Sequence, residues 1–215
     1  YPNLKILLDY VRNHGHSDWA DDTSYELMAE DVFELCRELQ LNNFILLGHS
    51  MGGKVAMLFA QQHEDLLYKL VVVDIGMKEY PMHHEHILAG IHSVDLMNNS
   101  ARSQAEAQMS AFIESEGVKQ FLLKNLYWKE KGKLAWRMNV EALERDMPNI
   151  LAEVPKIQVS IPTLFIRGAL SNYILDDDIS DIEDVFVDSE VVTIENAGHW
   201  VHAEAPEAFI DEVLS

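Results

Sequence analysis

A mainly parallel α/β sheet with helices on both faces is the fold class this sequence predicts, on three observations. Short apolar runs of strand length, at residues 44–47, 70–73, 161–167 and 191–194, alternate with longer stretches of helical spacing. The first run enters the tight turn Gly48-His49-Ser50-Met51-Gly52, and an apolar helical stretch follows it at 55–60. Ser50, Asp74 and His199 each stand just beyond the carboxyl end of such a run, where parallel sheets gather their functional groups.

Taken in order, Leu4-Lys5-Ile6-Leu7-Leu8 reads as a strand and residues 9–17 as a polar loop. His14 and His16 in that loop lack a nearby carboxylate or cysteine to complete a metal set. Asp21-Asp22-Thr23-Ser24 offers N-caps for a helix whose Met28, Val32, Leu35, Cys36 and Leu39 share one face. Asn42-Asn43 turns the chain into the strand before Ser50, and the strand at 70–73 ends on Asp74-Ile75-Gly76. From 77 to 160 strand signals vanish and methionine and aromatics increase. Stretches such as 103–114 and 133–143 look helical, so this part is expected to be a helical lid inserted in a core made of 1–76 and 161–215. His83, His84 and His86 with Glu85 are read as a solvated turn rather than a metal site. Asp176-Asp177-Asp178 lacks the spacing of a calcium loop. After the last strand comes the loop Asn196-Ala197-Gly198-His199-Trp200, and Pro206 opens a closing helix to 214.

Composition narrows the classes. Over 215 residues, 48% hydrophobic content suffices for a core, and no run reaches the length of a membrane span. With 36 acidic against 16 basic residues the net charge is −20, which repels nucleic acid and anionic lipid. Neither nucleic acid nor a membrane is expected as a partner. The single cysteine, Cys36, permits no internal disulfide and fits a reducing, cytoplasmic setting, where it packs as a small core residue.

The chemistry starts at Ser50. Strand, G-x-S-x-G turn and helix hold its hydroxyl off the sheet, and the helix N-terminus offers backbone N–H groups, that of Met51 first, to a developing anion. A serine hydroxyl is inert without a base. His199 supplies one from a strand-end loop in which Gly198 permits a tight turn. His202 falls where the chain enters the last helix and reads as a packing or hydrogen-bonding histidine; His49 points away from the nucleophile and reads as structural. The base needs a carboxylate to hold its tautomer. Asp74 sits at a strand tip, where burial without a partner is costly. Asp176, well beyond the end of the next strand, is the alternative, and Asp74 could instead cap its own turn.

These pieces resemble the α/β-hydrolase superfamily, and within it the small bacterial acyl esterases of the YbfF type. The resemblance is carried by Asp9-Tyr10-Val11-Arg12-Asn13-His14-Gly15-His16-Ser17, Gly48-His49-Ser50-Met51-Gly52-Gly53, Val73-Asp74-Ile75, Phe165-Ile166-Arg167-Gly168 and Ala197-Gly198-His199-Trp200-Val201-His202-Ala203-Glu204-Ala205-Pro206. It spans nearly the whole chain, the lid least. It implies that the acid lies on the strand before the lid, which transfers to Asp74, with Ser171 where most other members carry the acid. It also implies strands ahead of Leu4, one bearing the second oxyanion donor, so these residues are expected to be a piece of a longer chain and that donor is not among them.

The expected activity is hydrolysis of a carboxylic ester or thioester of short to medium acyl length, with Ser50 as nucleophile, His199 as base and Asp74 as orienting acid. No metal or organic cofactor is required. The basic stretch with Lys119, Lys124, Lys129, Lys131, Lys133 and Arg137 could attract a phosphate-bearing leaving group such as coenzyme A, or be a solvated face. The alternatives are carbon–carbon bond hydrolysis or perhydrolysis on the same three residues, and a non-catalytic binding protein that keeps the fold.

Overall fold

A computed structural model of the chain describes residues 4–82, 85–99 and 101–215. By internal contacts it divides into two units, Tyr1–Thr23 with Met82–Met147 and Ser24–Pro81 with Pro148–Ser215.

The second unit holds the sheet. Helix α1 (Tyr25–Glu38) starts where the Ser24 hydroxyl accepts the N–H of Leu27, and it buries Tyr25, Met28, Ala29 and Cys36. Strand β1 (Phe44–His49) leads through Ser50 into α2 (Met51–His63), whose residues from Gly53 to Ala60 are all buried. Strand β2 (Leu67–Val73) follows, with Leu70, Val71, Val72 and Val73 fully buried, as befits a strand covered on both faces.

The first unit supplies the next elements: α3 (Glu85–His92), α4 (Arg102–Met109), α5 (Glu116–Lys124), the hairpin β3 (Leu126–Glu130) with β4 (Lys133–Trp136), and α6 (Val140–Arg145). Its own core joins Ile91, Met109, Ile113, Leu122, Leu126 and Trp136. Within it Asn13 is a buried hub: its amide donates to Thr23 Oγ1 and accepts from the Ala20 N–H and the Asn139 amide.

After α7 (Met147–Leu151) the second unit resumes with β5 (Thr163–Gly168), α8 (Ile179–Val185), β6 (Ser189–Ile194), the one-turn α9 (Val201–Glu204) and α10 (Pro206–Leu214). The sheet order is β1-β2-β5-β6 and every pairing in it is parallel. Leu70 pairs with Thr163, and Gly168 with Ile194, so the carboxyl ends of all four strands open on one rim. Val71, Val73, Leu164, Ile166, Ile194, Ala197 and Val201 form one apolar cluster of the core under that rim.

Two expectations are corrected. Residues 4–8 form no strand: among the described residues nothing pairs with them, and Leu4, Ile6, Leu7 and Leu8 are exposed. An apolar run becomes a strand only where a neighbour takes up its backbone hydrogen bonds. Strand signals also do not vanish after residue 77, because Lys133–Trp136 is extended rather than helical. Leu134 and Trp136 alternate inward, and Gly132, at φ +80°, closes the turn that a side chain would strain. The stretch expected as a helix at 103–114 is helical over Arg102–Met109.

Candidate active site

Ser50 lies between β1 and α2 with φ 53° and ψ −124°, a left-handed conformation that a side chain rarely adopts. Its N–H is tied to the Val73 carbonyl at 2.9 Å, and its own carbonyl accepts the Gly53 N–H at 2.8 Å. Gly48 is required here, because a Cβ on it would overlap the carbonyl of Gly52. Met51 is the first residue of α2, so its N–H is one of the end donors that no helical carbonyl can satisfy.

Asp74 follows β2 directly, fully buried and also left-handed at φ 50°. Its carboxylate has three neighbours. Oδ1 accepts the Gly168 N–H at 3.1 Å; Oδ2 accepts the Ser171 hydroxyl at 2.5 Å and lies 2.8 Å from His199 Nδ1. A carboxylate only accepts, so Nδ1 of His199 carries the hydrogen and Nε2 keeps its lone pair. Nε2 lies 3.1 Å from Ser50 Oγ. Three groups far apart in sequence therefore meet in one hydrogen-bonded line.

The imidazole is held on its face as well. Tyr173 stacks on it with ring centroids 4.1 Å apart and 24° between planes. The Tyr80 hydroxyl donates to the Tyr173 carbonyl at 2.7 Å and accepts the Gly76 N–H at 2.8 Å, joining the loops that follow β2 and β5. Burial raises the pKa of both phenols, so both stay neutral.

Beneath the elbow, Lys54 on α2 is buried. Its ammonium donates to the carbonyl of Lys78 at 2.9 Å, to that of Leu151 at 3.4 Å and to that of Ala152, and faces the Tyr80 ring at 4.9 Å. Burial lowers it to about 8. With the backbone bonds Tyr80 N–H to Leu151 and Val154 N–H to Met77, it fastens the chain leaving this unit to the chain returning.

The other residues singled out from sequence find separate places. Asp176 is exposed and paired with Arg167 at 2.6 Å, away from the imidazole. His202 packs beside His49 and Phe209. His49 sends Nε2 to the His199 carbonyl at 2.8 Å, and burial pushes its pKa down to about 4, so it acts there as a neutral donor. His14, also lowered by burial, faces the Arg12 carbonyl, and His16 lies beside Arg137. His83 and His84 lie outside the described residues; Glu85 and His86 open α3. Lys119 and Lys133 of the basic stretch are paired with Glu116 and Glu130. Among the described residues no three His, Cys, Asp or Glu side chains group so as to hold a metal ion, and no helix is long and apolar enough to cross a membrane. Sequence reasoning noticed Ser171 only for lacking a carboxylate and passed over Tyr80 and Tyr173. Their partners lie 93 to 97 positions away for Tyr80 and Ser171, and no local pattern marks such contacts.

Residues 6–212 match the model of the alpha/beta hydrolase family. The mouse (Mus musculus) sn-1-specific diacylglycerol lipase ABHD11 is 37% identical over 98% of this chain and 71% of its own length. Esterase YbfF of Escherichia coli K12 is 35% identical over 93% of this chain and 77% of its own. Among solved structures, a marine microorganism esterase superposes with a TM-score of 0.91 at 41% identity, over 95% of this chain and 81% of its own. With a parallel sheet, a strained serine at its rim and relatives of this closeness, the chain belongs to the α/β hydrolase family.

Proposed function

We propose that the protein hydrolyses carboxylic esters, and thioesters of short to medium acyl chains, by two-step acyl transfer through Ser50, His199 and Asp74. The observation that carries this is the unbroken line from Ser50 Oγ to His199 Nε2 and from Nδ1 to Asp74. Such a line has one evident use, which is to take a proton from an alcohol while the alcohol attacks.

In the first step Nε2 of His199 accepts the Ser50 proton as Oγ bonds to the acyl carbon, and the carbonyl π pair becomes the oxyanion. The Met51 N–H is one donor to that oxyanion. Collapse breaks the bond to the alkoxide or thiolate, which leaves with the proton held on Nε2. Water then repeats the sequence on the acyl-enzyme: His199 takes its proton, the tetrahedral intermediate collapses, and the carboxylic acid departs as Ser50 recovers its hydrogen. Asp74 stays ionised throughout, steadied by Gly168 and Ser171, and stabilises the imidazolium formed at each step.

The names of the relatives favour oxygen esters, including those of glycerides, over other acyl compounds. We also propose that residues 77–160 act as the substrate-selecting lid, given their run of helices and apolar side chains.

The test joins labelling with a substrate panel. A fluorophosphonate should modify Ser50 stoichiometrically, as read by peptide mass spectrometry. Nitrophenyl esters, a diacylglycerol and an acyl-CoA should be turned over, and a β-diketone should not. An unlabelled Ser50 in folded protein rejects the reading; turnover of the diketone alone moves the activity to carbon–carbon cleavage.

A further inference from the structure

The base proposed above is held by its own backbone, and two side chains outside the reacting line do the holding. The carboxylate of Glu204 straddles residue 199: Oε2 accepts the Gly198 N–H at 2.8 Å and Oε1 accepts the Trp200 N–H at 3.1 Å. The carbonyl of His199 itself receives Nε2–H of His49 at 2.8 Å. Three backbone groups in three successive residues are thus fixed from two directions.

We infer that Glu204 and His49 are positioning residues, forming a clamp that sets where His199 places its ring nitrogens. The inference rests on the assignment of His199 as general base.

Geometry argues for this over simple capping of the one-turn helix α9. A histidine side chain has only two torsions, so where its Cα lies decides where Nε2 falls. Both ring nitrogens must stay aligned at once, at 3.1 Å to Ser50 and 2.8 Å to Asp74, and a shift of the 198–200 segment breaks both contacts together. His49 is the residue immediately before Ser50. Its hydrogen bond therefore ties the backbone of the base directly to the strand that presents the nucleophile, fixing the separation that proton transfer depends on. Glu204 adds hydrogen bonds to an ionised acceptor, which are shorter and stronger than neutral ones. The fit against the carboxylate is close: a Cβ on Gly198 would lie 3.3 Å from Glu204 Oε2.

The experiment compares Glu204→Ala, Glu204→Gln, His49→Phe and His49→Gln with the parent, each assayed at a temperature where thermal unfolding shows it folded. Glu204→Ala and His49→Phe should lower kcat about 10- to 100-fold with KM within about twofold, because a misplaced base slows chemistry and leaves binding alone. Glu204→Gln keeps one amide acceptor and should lose less. His49→Gln carries an amide N–H to the same carbonyl and should recover to within about fivefold of the parent. The rate of fluorophosphonate modification of Ser50 should fall by the same factor as kcat in each variant. Folded Glu204→Ala and His49→Phe with kcat and labelling within about twofold of the parent, or with losses confined to KM, overturn the clamp. A parent that the fluorophosphonate does not label overturns the serine-hydrolase reading and the clamp with it; a labelled parent with unaffected variants overturns the clamp alone.

Discussion

At the scale of single residues, Asp74 is held on every side: buried, left-handed in its backbone and bonded at both oxygens. A fully buried carboxylate in a left-handed backbone persists because a peptide N–H, a hydroxyl and an imidazole all donate to it. Replacing it with Asn puts an amide N–H among those donors and allows the other histidine tautomer, which aims a hydrogen at Ser50. Asp74→Asn should therefore lower kcat by about 10,000-fold while KM stays within a few-fold, read by steady-state kinetics on a nitrophenyl ester. His49 gives a second prediction, in stability. Its pKa is depressed from 6.5 to about 4 in the folded protein, so between those values the unfolded chain binds a proton that the folded chain refuses. Its contribution is whole above pH 6.5 and is lost as pH falls towards 4, at up to about 1.4 kcal/mol per pH unit. Urea melts at pH 7, 6 and 5 should show that slope, and His49→Gln should flatten it; His14, lowered in the same direction, leaves a remainder.

At the scale of elements, the tie between α2 and the neck of the inserted segment can be tested through Lys54. Lys54→Met fills similar volume but leaves the part-buried carbonyls of Lys78 and Ala152 without this donor, while that of Leu151 keeps the Tyr80 N–H. The expected loss is about 2 to 4 kcal/mol by denaturant unfolding, since an orphaned buried acceptor costs about 1 to 3 kcal/mol. An unchanged midpoint would mean that water or a shifted backbone satisfies those carbonyls. What the sequence reveals also sorts by element. The elbow was legible because the turn around Ser50 leaves no room for a Cβ at Gly48 or Gly53, and β2 because four consecutive apolar residues have no other easy home. Lys133–Trp136 was not legible, since two inward residues in a charged surrounding are too few to separate period two from a helical repeat. Residues 4–8 carry the right residue types for a strand, but pairing is decided by a neighbour and not by the run itself. The three-residue line at the rim was legible from strand ends; the supports from Tyr173, Ser171 and Glu204 were not, because they depend on loop conformation.

For the molecule as a whole, a net charge of −20 on 215 residues is a standing repulsion that folding must overcome. Raising sodium chloride from about 0.01 M to about 0.15 M shortens the screening length from about 30 Å to about 8 Å. The melting temperature should rise by about 2 to 4 °C, equivalent to about 1 kcal/mol at this size, as read by calorimetry. A fall instead would show that attractive pairs such as Lys156 with Asp181 outweigh the repulsion.

The pairing of Leu70 with Thr163 has a consequence for how the protein is made. A ribosome that has released Leu67–Val73 has still to synthesise the whole inserted segment before the strand's second neighbour exists, and until then one edge of a largely apolar ribbon waits unzipped. Nascent chains stalled ahead of Thr163 should be the species that chaperones seize and that aggregate, whereas those stalled beyond Ile194 can close the sheet.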